Sequence, residues 1–170
     1  MELKSERLYY RKFRQEDASN IYDLDTDPQV MTFLGGVVMK NIQDANATIQ
    51  RLEKQYAEHQ IGRYAVFEIE TNSFVGWSGL MFHQQLNGLK DVYELGYRFI
   101  QSSWGKGYAT ESGRFWLEYG FSVLDQQTLY AMAAVKHQAS IRVLEKLQFE
   151  NEGPFEIFGH THYFFSLNKD

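Results

Sequence analysis

The residues whose types and spacing could do chemistry concentrate between Tyr93 and Tyr119, in the run YELGYRFIQSSWGKGYATESGRFWLEY. Tyr93, Leu95, Tyr97 and Phe99 alternate as on a half-buried strand. Gln101, Ser102 and Ser103 lead into Trp104-Gly105-Lys106-Gly107-Tyr108-Ala109-Thr110. The period then changes, because Ala109, Gly113, Trp116 and Gly120 recur at helical spacing. Strand, glycine loop and helix in that order present the unpaired N–H groups and positive dipole end of a helix to an anion. Gly105 and Gly107 let that backbone approach a phosphate with no Cβ in the way. Lys106 adds a point charge for the same phosphate, or is a solvated loop lysine. Elsewhere, His160-x-His162 sets two imidazoles on one strand face, but no acidic or thiol ligand accompanies them, so no metal site is assigned.

Two phosphate-binding chemistries are poor fits. A Walker loop needs Ser or Thr directly after its Lys, and here Lys106 is followed by Gly107. A dinucleotide fingerprint needs a third glycine where Thr110 stands, and an acidic end to the next strand, which instead closes with Val135-Lys136. The chain has no cysteine, which excludes disulfides, thiolate metal sites and a cysteine nucleophile. Its net charge of −5 argues against nucleic acid as the main partner and suits a cationic amine better. No run approaches the roughly 20 apolar residues of a membrane span. The start, MELKSERLYYRKF, lacks the apolar stretch of a signal peptide, so a cytoplasmic location is expected.

The elements that must position this loop read as one domain over residues 1–170. Arg7 to Phe13 is a first strand, Asp17 an N-cap for a helix Ala18 to Leu24, and Asp27-Pro28 opens a short helix through Leu34, ended by Gly35-Gly36. Ile42 to His59 is amphipathic, with Ile49, Leu52 and Tyr56 on one face. Gly62 to Ile69 and Phe74 to Phe82 form a hairpin, and Asn87-Gly88 turns the chain into the Tyr93 strand, completing a meander. Such a meander is foreign to a Rossmann domain. Thr128 to Val135 reads as a strand covered on both faces, parallel to the Tyr93 strand. Lys136 to Phe149 is helical, with Ile141, Leu144 and Leu147 inward and Arg142 and Lys146 on the other face. Gly153-Pro154 breaks the chain before two closing strands, Phe155 to Phe158 and His162 to Leu167.

The loop resembles the acetyl-CoA loop of the GNAT N-acetyltransferases, Gln/Arg-x-x-Gly-x-Gly/Ala, with Gly107 and Ala109 in place and Trp104 where Gln or Arg is usual. WGKGYATE and the opening SERLYYRKF…D…DPQVM…LGG are similar to the branch of ribosomal-protein N-terminal acetyltransferases. So is VKHQASIRVLEKLQF, where Ser140, Leu144, Glu145, Lys146, Leu147 and Phe149 match. There His137 replaces Asn and Gln148 replaces Gly. The resemblance implies a three-layer α/β/α fold of α+β class, with a mixed, mostly antiparallel sheet whose parallel strand pair flanks the CoA loop. It implies acetyl-CoA as acetyl donor, bound by Phe99, Ile100, Trp104, Gly105, Lys106, Gly107, Tyr108, Ala109, Thr110, His137 and Ser140, with no metal. Monomer and homodimer stay open.

Direct acyl transfer to an amine needs a neutral nucleophile, a donor for the developing oxyanion and a departing thiolate. An α-amine, with a pKa of about 7.7–8.0, is partly free at neutral pH, whereas a lysine amine near 10.4 is not. The resemblance makes Glu94 a general base or an anchor for the cationic acceptor; as a plain residue it is a solvated strand-end carboxylate. Ser140 is implied to hydrogen-bond or protonate the sulfur, or it is a first-turn cap. His137 either touches the CoA arm or is an exposed helix opener. Many relatives carry a proton-donating Tyr where this chain has Leu144. The expected activity is N-acetylation of a protein α-amine. The alternatives are a small amine (polyamine, amino sugar or amino metabolite) as acceptor, or a non-catalytic acyl-CoA sensor.

Overall fold

The computed structural model describes residues 3–33, 38–157 and 159–169. Alternating apolar residues and two-residue turns generate eight strands: β1 (Leu3–Lys4), β2 (Leu8–Arg11), β3 (Arg63–Glu68), β4 (Phe74–Leu86), β5 (Leu89–Phe99), β6 (Thr128–Ala134), β7 (Glu150–Ile157) and β8 (His160–Asn168). They form one sheet in the order β1-β2-β3-β4-β5-β6-β8-β7. Every neighbouring pair is antiparallel except β5 and β6. The expected meander is β3-β4-β5. Its second turn is tight because Asn87 and Gly88 both take positive φ, 47° and 78°, which matches the twist of the long strands they join.

Five helices cover the sheet: α1 (Ala18–Thr26), α2 (Pro28–Met31), α3 (Ile42–His59), α4 (Tyr108–Ser122) and α5 (Gln138–Lys146). α4 lies against Tyr10, Tyr64, Ser78 and Leu80. Trp116, fully buried, donates its indole N–H to Ser78 Oγ at 2.9 Å and packs 4.9 Å from Tyr64. Two glycines allow the close approach. A Cβ at Gly120 would sit 2.7 Å from Leu129 Cδ1, and one at Gly113 2.4 Å from Leu147 Cδ1. α1 occupies the opposite face, where Asp25 pairs with Arg98, and α3 buries Ala45, Ile49, Leu52 and Tyr56. The arrangement is α+β in three layers.

Several local expectations change. Asp17 does not cap α1. It closes a 3-10 turn, accepting from the Arg14 N–H at 2.8 Å and from Arg11 at 2.7 Å, because a buried carboxylate gains more from a guanidinium than from one helix amide. α2 ends at Met31, shorter than expected, because Thr32 and Phe33 form a turn; Leu34 and the expected stop at Gly35-Gly36 lie outside the described residues, as does Phe158. Gly153-Pro154 does not interrupt β7. The extra residue is absorbed as a bulge between Asn151 and Gly153, with Gly153 at φ 110°. Pro154 is tolerated because β7 is an edge strand. Gln148, in the place of the family's glycine, adopts φ 67° and ends α5, with its N–H bonded to Glu145 O and that of Phe149 to Leu144 O.

Candidate active site

β5 passes through a 3-10 turn (Gln101–Ser103) into the glycine loop, and the Trp104 indole N–H donates to Phe99 O at 2.8 Å, pinning the loop to the strand end. Gly105 and Gly107 hold φ 74° and 83°, values that cost an L-residue about 1–2 kcal/mol. Gly107 is the N-cap of α4. The first helical bond runs from the Glu111 N–H to Gly107 O, so the amides of Tyr108, Ala109 and Thr110 precede the ladder. The loop is braced from behind. Arg7 donates to Lys106 O at 2.9 Å, and Glu111 accepts from Ser5 Oγ and the Arg7 N–H, both at 2.7 Å. Burial alone would raise the Glu111 pKa, but these donors and the Arg7 charge hold it below the usual carboxylate range.

In front of the loop lies a cleft of about 520 Å³ between α2, β5, the start of α4 and α5. It opens because the parallel ladder joins Glu94 to Tyr130 and Leu95 to Ala131 and ends there, so β5 and β6 diverge beyond it. Of the residues that the sequence resemblance assigns to CoA, Phe99, Trp104, Gly105, Gly107, Tyr108, Ala109, Thr110, His137 and Ser140 line it together. Ile100 and Lys106 do not. The Lys106 ammonium lies over the Tyr108 ring, 5.8 Å from its centroid, on the braced side of the loop. The positive charge in the cleft comes instead from Arg98, Lys136, Arg142 and Lys146, with no acidic residue among the described lining. Arg98 is committed to Asp25; Lys136, Arg142 and Lys146 have no ion-pair partner among the described residues. The sequence reading placed Arg142 and Lys146 only on the helix face away from Ile141, Leu144 and Leu147; their i, i+4 spacing behind Lys136 was the available signal.

Ser140, on the first turn of α5, is half-buried with its Oγ 3.1 Å from Tyr97 Oη. Tyr97 carries no role in the sequence reading, where its alternation marked it only as a strand residue. His137 is not an exposed helix opener. It is half-buried and stacked on Phe33 at 4.6 Å, and burial pushes its pKa down, so it is neutral at pH 7. Glu94 is not a solvated strand-end carboxylate either. It sits mid-strand at 2% exposure on the sheet face opposite α4, bonded to Arg63, with His83 Nε2 3.4 Å away. Burial alone would raise its pKa; the Arg63 guanidinium, helped by His83, outweighs that and holds it low. Arg63 is fixed in turn by donating to Glu94 O at 2.9 Å and to Gly79 O. His160 and His162 form no centre: His162 is buried with Nδ1 3.2 Å from His160 O, and among the described residues no three His, Asp or Glu side chains cluster around a metal-sized space.

Open helix amides behind two positive-φ glycines, three uncompensated cations and a cleft walled by splayed strands fit a phosphate-bearing thioester such as acetyl-CoA. A three-layer fold with this loop at the strand divergence defines an acyl-CoA-dependent transferase class. Residues 7–150 match the model of the acetyltransferase (GNAT) domain, and the chain belongs to that family. It is 30% identical over 151 residues to the uncharacterized N-acetyltransferase p20 of Bacillus licheniformis, covering 89% of this chain and 83% of that one. It is 24% identical over 143 residues to the spermidine N(1)-acetyltransferase of Escherichia coli (strain K12), covering 84% and 73%. The ribosomal-protein-S5-alanine acetyltransferase of Vibrio fischeri shares its fold, with a TM-score of 0.79 over 100% of this chain and 97% of that one at 16% identity. No described helix is long and apolar enough to cross a membrane.

Proposed function

We propose that this chain is an acetyl-CoA-dependent N-acetyltransferase whose preferred acceptor is a protein α-amino terminus, acting on both substrates bound together. The observation that carries the donor half is the cleft itself, in which loop amides and Lys136, Arg142 and Lys146 converge without a carboxylate. Bound there, acetyl-CoA supplies an activated acyl group. The chain's residues hold its phosphates with the amides of Tyr108 to Thr110 and the three cations, and exclude water with Phe99, Trp104 and Phe33.

The acceptor half rests on the charge of the opposite sheet face. Glu94 and Asp25 are each spent on an arginine, Arg63 and Arg98, and both guanidinium groups lie against Trp77, at 5.3 and 5.0 Å. A polyamine carries several positive charges and is best met by carboxylates with charge to spare, whereas Glu94 and Asp25 are both already paired. A single α-amine, already partly neutral at pH 7, needs none. Buried, and held low by the Arg63 guanidinium, Glu94 is too weak a base to take an ammonium proton at neutral pH, and its charge fixes Arg63 rather than meeting the incoming amine.

Isothermal titration of acetyl-CoA and CoA, with Gly107→Pro as control, tests the donor half. Proline requires φ near −65° where the chain holds +83°, so the control should lose binding. Steady-state assays with peptides bearing free or blocked N-termini, and with spermidine, test the acceptor. Turnover of spermidine with none of the free peptides would overturn the α-amine reading and leave the donor half standing.

A further inference from the structure

Leu144, at 1% exposure, gives α5 no phenol toward the cleft, yet a phenol reaches Ser140 from the strand opposite. Tyr97 Oη lies 3.1 Å from Ser140 Oγ and 3.2 Å from Ser140 O, and both residues line the cleft. The phenol has one proton and two acceptors in reach, so the pair has two states. With the phenol proton on the Ser140 carbonyl, the serine hydroxyl donates back to Oη and no proton faces the cleft. With the phenol proton on Oγ, the serine proton is free to point outward.

We propose that Tyr97 and Ser140 form a coupled hydrogen-bond donor to the leaving sulfur, in which Tyr97 is the positioning residue that turns the serine proton toward the cleft. The inference rests on the acetyl-CoA reading above. As the amine nitrogen bonds to the acyl carbon and the carbon–sulfur bond breaks, the electron pair stays on sulfur, where the Ser140 O–H stabilises it. No proton leaves Tyr97. An ordinary phenol titrates near 10 and a thiol near 8.5, so the phenol is the weaker acid. Burial, with a contribution from the Glu94 charge, raises Tyr97 further. The amine's excess proton passes to solvent, and the thiolate takes its proton from solvent after departure.

The test compares CoA with acetyl-CoA by isothermal titration at pH 7 and pH 9.5, on either side of an ordinary thiol's pKa of about 8.5. The groups facing the pair are Glu94 behind β5, Arg98 beside it, and Lys136, the neutral His137, Arg142 and Lys146 on the α5 side. These groups meet the part common to both ligands, and whatever they add at the thiolate is shared by wild type and variants, so the comparison between proteins isolates the Tyr97–Ser140 pair. The wild type should gain about tenfold in CoA over acetyl-CoA between the two pH values, roughly one hydrogen bond to a charged acceptor. Tyr97→Phe and Ser140→Ala should each abolish most of that gain, and the double variant should lose no more than Ser140→Ala alone. A full gain in Tyr97→Phe, losses that add across the two sites, or a wild type that binds both ligands without any gain would overturn the inference. A wild type that binds neither ligand overturns the acetyl-CoA reading itself. If Tyr97→Phe does not fold, Ser140→Ala carries the test, because its half-buried hydroxyl sits on a helix surface.

Discussion

Replacing Arg63 with methionine should destabilise the protein far more at pH 8 than at pH 5. The methionine fills much the same volume but leaves Glu94, 3% exposed at its side chain, as a buried charge with only His83 nearby. Breaking one partner of such a pair costs about 3–5 kcal/mol. For a chain of this length that is a fall of roughly 6–20 °C in Tm, at about 2–4 °C per kcal/mol. The sign of the pH effect follows from Glu94. In the wild type its folded pKa lies below the unfolded value, so its contribution is present above about pH 4.3 and is lost as pH falls through the folded value. Without Arg63, burial dominates and the folded pKa rises above the unfolded one, so the penalty exists only while Glu94 is ionised and fades on acidification. Scanning calorimetry of wild type, Arg63→Met and Arg63→Met/Glu94→Gln at both pH values provides the comparison. The gap should narrow toward pH 5, and the double variant should recover much of the loss. A gap under about 1 kcal/mol, or one that widens in acid, would refute the account of Glu94 as a charge held by Arg63.

Gly107→Ala should cost about 1–2 kcal/mol in urea denaturation, because its Cβ would meet only Arg7 Nη2 at 3.5 Å and the penalty is purely the φ of 83°. Gln148→Gly should stabilise by about 1 kcal/mol in the same assay, since φ 67° is strained for glutamine and free for glycine. Serine at Lys136, Arg142 and Lys146 should each weaken CoA binding by about tenfold and flatten its salt dependence, whereas Lys106→Ser should change neither.

Much of the fold was readable from local order. Asn87-Gly88 fixed the long hairpin, Ile42 to His59 matched α3 at both ends, and the apolar run from Thr128 became a strand, though buried on one face only, at Leu129, Ala131 and Ala133, and half-buried on the other. The glycine loop was readable for the same reason, since its backbone chemistry depends on neighbours in sequence. What escaped depends on partners far along the chain. Glu94 finds Arg63 31 residues away and Tyr97 finds Ser140 43 residues away, and alternation reports which face a side chain takes but not what awaits it there. Loop position left the direction of Lys106 open between phosphate and solvent; its ammonium lies over the Tyr108 ring and outside the cleft lining. Asp17 failed as a cap because Arg11 was the stronger claimant.

The bulged strand at the sheet margin bears on how this protein behaves when crowded. β7 ends the sheet with Pro154, which has no amide proton, with a kink at Asn151–Gly153, and with the exposed carboxylates Glu150, Glu152 and Glu156 along it. The opposite margin, β1, is two residues long. Neither margin offers a neighbouring molecule a flat, unpaired row of backbone groups to extend. Ribbon-like growth of one sheet onto another is therefore disfavoured at both described margins.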